Sequence, residues 1–261
     1  MTTQPTAFDT SLGSNFTNTE CPNFFNTFLS DPNFTQCQPL SFLLKSSQSY
    51  VKTVRSGVED VEAVLDKSCS VDYSKCQNVM KNYASKILDQ SICKPDYDLE
   101  NPLVRQAYNN FLNYGVVRNI TCLSMEDVGE NDPAANETYC YTDALYNLNS
   151  SADAYLYLLP FGNSYPKAEN TNPSCSACTN RVMSLLHEQT QNKQLLIAST
   201  YTSASSLIAA NCGSNFVNVS TLSGDQSTSS ASSLSSSPSF LLLTSPIQLL
   251  IWGLFTVFYV F

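Results

Sequence analysis

The sequence predicts an all-α fold: a disulfide-stapled helical bundle of about six or seven helices, then a disordered Ser-rich stalk and an apolar C-terminal segment. Three observations predict it. Apolar residues recur at helical spacing behind residues that cap helices. No run of alternating apolar and polar residues is long enough for a strand. The 261-residue chain carries ten cysteines, an even number, all within the domain and none in the tail.

The elements follow in order. Residues 1–20 read as a disordered N-terminus, and 21–219 as the Cys-rich helical domain. Pro39 suits a first helical position, and Leu40, Leu43, Leu44, Ser47, Val51 and Val54 continue at helical spacing. Ser56 and Glu59 have capping-box form and restart a helix carrying Val58, Val61, Val64 and Leu65. Asp72 caps a helix whose stripe is Cys76, Val79, Met80, Tyr83, Ala84, Ile87 and Leu88. Asn101-Pro102 is a cap followed by a first-turn proline, ahead of Val104, Ala107, Tyr108, Phe111 and Leu112. Cys178, Val182, Leu185 and Leu186 mark another helix. Ile197, Tyr201, Ala204, Ile208 and Cys212 mark the last, which Gly213 stops.

The cysteines are Cys21, Cys37, Cys69, Cys76, Cys93, Cys122, Cys140, Cys175, Cys178 and Cys212. Cytosolic chains rarely carry so many scattered thiols, so five disulfides in an oxidising compartment are expected. Pairing is not readable from sequence, although Cys122 and Cys140 flank a polar stretch that they would close as a loop. Only Cys175 and Cys178 have CxxC spacing, and His187 is the sole histidine, so the residues of a zinc site are lacking. No strand pattern precedes that CxxC, which removes the context of a thioredoxin-type redox site. No metal or cofactor is expected. The formal net charge of -9 argues against nucleic-acid binding, which needs basic patches.

The segment 139–166 is less regular. It holds Tyr139, Tyr141, Tyr146, Tyr155, Tyr157 and Tyr165, with Asp143 and Asp153 among them. Tyr155, Tyr157, Asp143 and Asp153 form the candidate ligand surface, an aromatic platform with carboxylates suited to a sugar. The competing reading, which the sequence favours, packs the rings inward with hydroxyls at the core's edge. The two aspartates are also the first suspects for a two-carboxylate glycosidase. No G-x-S-x-G elbow is present, His187 reads as a surface residue late in a helix, and "HEQTQ" is not a zinc-protease motif. The expectation is therefore a protein without catalysis.

Residues 220–239 form a Ser/Thr-rich linker too poor in apolar residues to build a core. Residues 240–261 are apolar and long enough to span a bilayer, yet no basic residue follows them. A glycosylphosphatidylinositol signal has this form, and counting back its polar spacer places Ser229 and Ser230 as anchor candidates. Such an anchor requires an N-terminal signal peptide. The start has no basic and apolar regions of that kind, so an incomplete N-terminus is expected. Glycosylation sequons occur at Asn15, Asn33, Asn119, Asn136, Asn149 and Asn218, about as many as this Asn-, Ser- and Thr-rich composition yields by chance.

Taken together, "CQPLSFLL", "SCSVDYSKC", "NPLVRQAYNNFLNY", "YCYTDALYN", "YLYLLPFG", "PSCSAC" and "CGSNFVN" resemble a family of fungal secreted cysteine-rich domains of unknown function. The resemblance runs from about Cys21 to Asn218. Members commonly continue into a Ser-rich stalk and a predicted lipid-anchor signal. The resemblance implies a location on the extracellular face of the plasma membrane or in the cell wall, with no catalytic residue carried over. The expected partners are the membrane, through the C-terminal anchor or helix, and wall glycans. The expected role is structural or interactive, with glycan or lipid binding as the alternative.

Overall fold

Where the chain offers a capping side chain, a helix begins. Asp72 accepts from the Lys75 N–H at 2.9 Å. Asn101 accepts from the N–H groups of Leu103 and Val104, with Pro102 in the first turn. Gly213, at φ +98°, closes the last helix. The computed structural model describes residues 4–129, 139–147, 149–150, 152–167 and 172–217. Its α-helices are α1 (Glu20–Ser30), α2 (Pro32–Thr35), α3 (Leu40–Ser46), α4 (Gln48–Ser56), α5 (Val58–Ser70) and α6 (Tyr73–Ile87). They continue as α7 (Lys94–Asp98), α8 (Pro102–Leu112), α9 (Tyr114–Thr121), α10 (Cys140–Tyr146), α11 (Ala177–Gln189) and α12 (Ile197–Cys212). Two 3₁₀ helices span Glu126–Val128 and Asp153–Phe161. Among the described residues there is no strand, only an isolated antiparallel bridge between Ser124 and Tyr139.

The all-α class stands, but the elements are shorter and more numerous than the stripes predict. The continuous helix expected from Leu40 to Val54 breaks at Ser47, whose extended backbone frees its Oγ to accept from the Tyr50 N–H. The capping box at Ser56 does not form. Ser56 ends α4, and the cap of α5 is Gly57 at φ +127°, a conformation side chains rarely adopt. α1 carries Phe24, Phe25 and Phe28 on its buried face.

The helices enclose two cores. The first is aromatic: Phe24, Phe25, Phe28, Phe34, Phe42, Tyr83 and Phe111 pack mostly edge-to-face or tilted, in a cluster drawn from α1, α2, α3, α6 and α8. The second, built around α5, α9, α11 and α12, is aliphatic, with Val61, Leu65, Val117, Ile120, Val182, Leu186 and Ile208 at its centre and tyrosines among them. α3 serves both: Phe42 enters the aromatic core while Leu40 and Leu43 enter the aliphatic one. The expected disordered start is corrected from residue 4 onward. Phe8 is buried against Phe25 and Phe42, and the Asp96 carboxylate receives the N–H groups of Thr17 and Asn18.

All ten cysteines pair: Cys21–Cys93, Cys37–Cys76, Cys69–Cys122, Cys140–Cys178 and Cys175–Cys212. The loop expected between Cys122 and Cys140 is not closed by a disulfide, because Cys122 at the end of α9 lies against Cys69 at the end of α5. Beside that bridge, Arg118 donates to the carbonyls of Cys69 and Val71 and lies over the Tyr73 ring.

Candidate functional site

The tyrosine-rich segment begins on α10 and continues through the 3₁₀ helix Asp153–Phe161. Short α10 is held at its start by Cys140, and Tyr141, the next residue in its first turn, is buried. The 3₁₀ helix then lays Tyr157 against it, with ring centroids 4.7 Å apart and near edge-on. The Tyr50 hydroxyl donates to that of Tyr141 at 3.3 Å. Both Tyr141 and Tyr157 are fully buried, and burial holds both phenols above their ordinary range.

Two neighbouring tyrosines also bond to other helices. Tyr139 donates to Asp66 at 2.9 Å, and burial followed by that carboxylate pushes its phenol up to about 12. Tyr146 donates to the Val54 carbonyl, tying α10 to α4, and Tyr165 is buried. Tyr155 alone among the six is exposed, at 42 %. The structure thus separates the two tyrosines of the candidate surface. Tyr155 faces solvent and Tyr157 lies in the core, so no ring platform forms.

Asp153 is 3 % exposed. Its carboxylate accepts from the Ser174 N–H at 3.3 and 3.2 Å, holding the strand of chain that leads into α11. Burial raises its pKa, against the lowering effect of hydrogen bonds from Ser174 and Thr179. Asp143 is half-buried and accepts from the Asn147 side chain. The two aspartates do come together, lining one cavity with Tyr157, Thr179 and Cys178, but its volume is about 10 Å³. That is room for a single water and not for a sugar ring. The geometry suits a buried carboxylate that organises a loop.

The CxxC cysteines part company. Cys175, at φ +55°, bonds Cys212 on α12, while Cys178 bonds Cys140 on α10. His187 is half-buried rather than on the surface, its ring 5.2 Å from that of Tyr201. Among the described residues no cluster of three metal-ligating side chains occurs, and no helix is long and apolar enough to cross a membrane. Of the sequon asparagines, Asn15, Asn33, Asn119 and Asn149 are exposed. Asn136, Asn218, the anchor candidates Ser229 and Ser230, and the apolar segment 240–261 lie outside the described residues.

Sequence reasoning missed one feature. Residues 4–7 close over α1, α2 and α3 and leave a cavity of about 200 Å³, lined in part by Gln4 and Gln38. Nothing local in the sequence marks it, because its walls meet only through tertiary packing.

The match to a protein family covers this whole assembly. A family described as a domain of unknown function (DUF7729) matches residues 3–221, and the chain belongs to it. The match starts well ahead of Cys21, in keeping with the packed position of Phe8. No curated protein and no solved structure matches the chain.

Proposed function

We propose, with membership of this family as the premise, that the protein is a structural or interaction module displayed on the fungal cell surface. The Ser/Thr-rich linker raises the helical domain above the membrane. A lipid anchor added at Ser229 or Ser230 holds it on the extracellular face of the plasma membrane, from which it is transferable to wall glucan. No catalysis is assigned to it.

The observation that carries this reading is the complete pairing of ten cysteines with no free thiol, which favours an oxidising compartment. The small volume between Asp143 and Asp153 counts against the glycosidase reading, and the burial of Tyr157 against a glycan platform. Exposed sequon asparagines are compatible with glycosylation on that route.

The test is cell-surface release. The gene is expressed in its native cell with an epitope tag after Asn218, and intact cells are treated with phosphatidylinositol-specific phospholipase C. Release of tagged protein is the expected result. Retention of a second, carboxy-terminal tag together with titratable thiols would place the domain in the cytosol and end the proposal.

A further inference from the structure

The five disulfides are not equally placed. Cys21–Cys93, Cys37–Cys76 and Cys140–Cys178 join cysteines that are all buried. Cys69–Cys122 joins two half-buried cysteines. Cys175–Cys212 stands apart: Cys175 is the one exposed cysteine of the ten, and Cys212 is half-buried. Thiol–disulfide exchange requires a thiolate to reach a bridge, so access favours Cys175–Cys212 over the other four.

Backbone conformation singles out the same bridge. Cys175 lies at φ +55°, in the left-handed region that no other cysteine occupies. Its neighbours enforce this. The Ser174 N–H donates to the Asp153 carboxylate, and Ser176 Oγ caps α11 by accepting from the Thr179 N–H at 3.1 Å. Cys175 is held between these two fixed points while its side chain is tied to the end of α12. A left-handed backbone at a residue with a side chain persists only where the surroundings enforce it. Exposed or strained bridges are the more readily reduced ones, and buried ones resist.

Opening this bridge leaves the fold its other supports. α11 keeps Val182, Met183 and Leu186 in the aliphatic core, and α12 keeps Ile197, Tyr201, Ala204 and Ile208 there. Cys178 still ties α11 to α10. The Asn180 side chain donates to the Phe216 carbonyl, a second link between α11 and the residues after α12. Cys212 itself packs at the edge of that core.

We propose that Cys175–Cys212 is a redox switch, opened by a dithiol while the other four bridges stay closed. One thiolate of the dithiol attacks the Cys175 sulfur. The sulfur–sulfur bond breaks, and its electron pair leaves on the Cys212 sulfur, which takes up a proton. The second thiolate of the dithiol then attacks its partner sulfur in the mixed disulfide and releases Cys175, which is protonated in turn. The dithiol ends as a disulfide, having given two electrons and two protons. The product is a folded domain with two free thiols, opened where α12 ends ahead of the Ser/Thr-rich linker. The ranking of the bridges stands whether or not the surface role proposed above holds.

The test treats the oxidised full chain with graded dithiothreitol, without denaturant. Free thiols are blocked with N-ethylmaleimide and located by peptide mass spectrometry. Cys175 and Cys212 are expected to open about tenfold faster than any other pair, or more. At that stage the far-UV circular dichroism and a cooperative urea transition are expected to remain. With glutathione, a monothiol, and rapid maleimide trapping, the glutathione adduct is expected on Cys175 and the maleimide on Cys212. The double variant Cys175→Ser with Cys212→Ser is expected to fold and to lack the fast phase. Another bridge opening first, all five opening together, or loss of the cooperative transition with the first bridge would each overturn the proposal. So would a glutathione adduct on Cys212, or failure of the double variant to fold.

Discussion

The two cores solve the same problem with different chemistry. In the aromatic core Phe28 has six ring neighbours, Phe24, Phe25, Phe34, Phe42, Tyr83 and Phe111, at centroid distances from 5.0 to 6.0 Å. Almost nothing there has to be hydrogen-bonded. In the aliphatic core the large rings are tyrosines, joined by buried Thr121, Thr142 and Asp153. Each brings a polar group that must find a partner or bear the cost of burial. Thr121 finds the Val117 carbonyl, Thr142 the Glu62 carboxylate, and Asp153 the Ser174 N–H. The first core is held by area and shape. The second is held by area together with a set of directed contacts, and so tolerates less displacement. The irregular 3₁₀ helix and the Cys175 loop both lie on the second.

The comparison can be broken by substitution. The largest effect is expected from Phe28→Ala, which leaves a cavity shared by six rings and should cost about 3–5 kcal/mol in chemical denaturation. A cost below about 1 kcal/mol would mean the rings repack freely and shape is not what holds this core.

A finer comparison comes from two disulfides of nearly equal span. Cys37–Cys76 separates its ends by 39 residues and Cys140–Cys178 by 38. Chain-entropy stabilisation is then the same for both, about 2–4 kcal/mol. Replacing each pair by alanines should expose what surrounds them. The Cys140–Cys178 pair is expected to cost more, because it is the tie that holds the seven-residue α10 and its tyrosines in place. Equal losses in the two double variants would erase the distinction drawn here.

The smallest effect is a difference in sign with pH. In the aromatic core's rim, Asp31 accepts from the Tyr83 hydroxyl, and that bond, with the Asn33 N–H, lowers its pKa. Its contribution is present above the unfolded carboxylate value near 3.9 and is lost as pH falls through the folded value. Asp153 has the opposite shift through burial, so its contribution is present below the unfolded value and is lost as pH rises through the folded one. Urea midpoints between pH 6 and pH 3 should therefore show the penalty of Asp31→Asn shrinking toward acid. Over the same range Asp153→Asn should gain relative to the parent as pH rises. Parallel curves for the two variants would contradict the assignment.

What was legible in the sequence is what local chemistry decides. Asp72, Asn101-Pro102 and Gly213 mark helix ends because a side chain or a backbone freedom acts within a turn of itself. The stripes of α6, α8, α11 and α12 follow from the repeat of a helix face, except that Leu88, placed on the α6 stripe, caps that helix and is exposed. Ser47 was illegible because the choice between continuing a helix and capping the next depends on where Tyr50 must go. The inward turn of Tyr141 and Tyr157 was favoured from composition, while the exposure of Tyr155 was not, since a 3₁₀ helix distributes neighbours differently from an α-helix. The pairing of Cys122 with Cys69 rather than Cys140 depends on α5 and α9 ending side by side. No spacing rule encodes that.

The disulfides also decide how the chain can be severed. The bridges Cys21–Cys93, Cys37–Cys76 and Cys69–Cys122 overlap in sequence, so one backbone cut between Cys21 and Cys122 leaves the pieces covalently joined. Cys140–Cys178 and Cys175–Cys212 overlap in the same way. Between Cys122 and Cys140 no bridge crosses. A single protease nick in that interval would divide the domain into two separately cross-linked bodies held by packing alone. After such a nick, unfolding would release the first body from the second, since no covalent bond joins them. The stretch that the sequence suggested as a sealed loop is instead the one place within the disulfide-spanned chain where a scissile bond has covalent consequences.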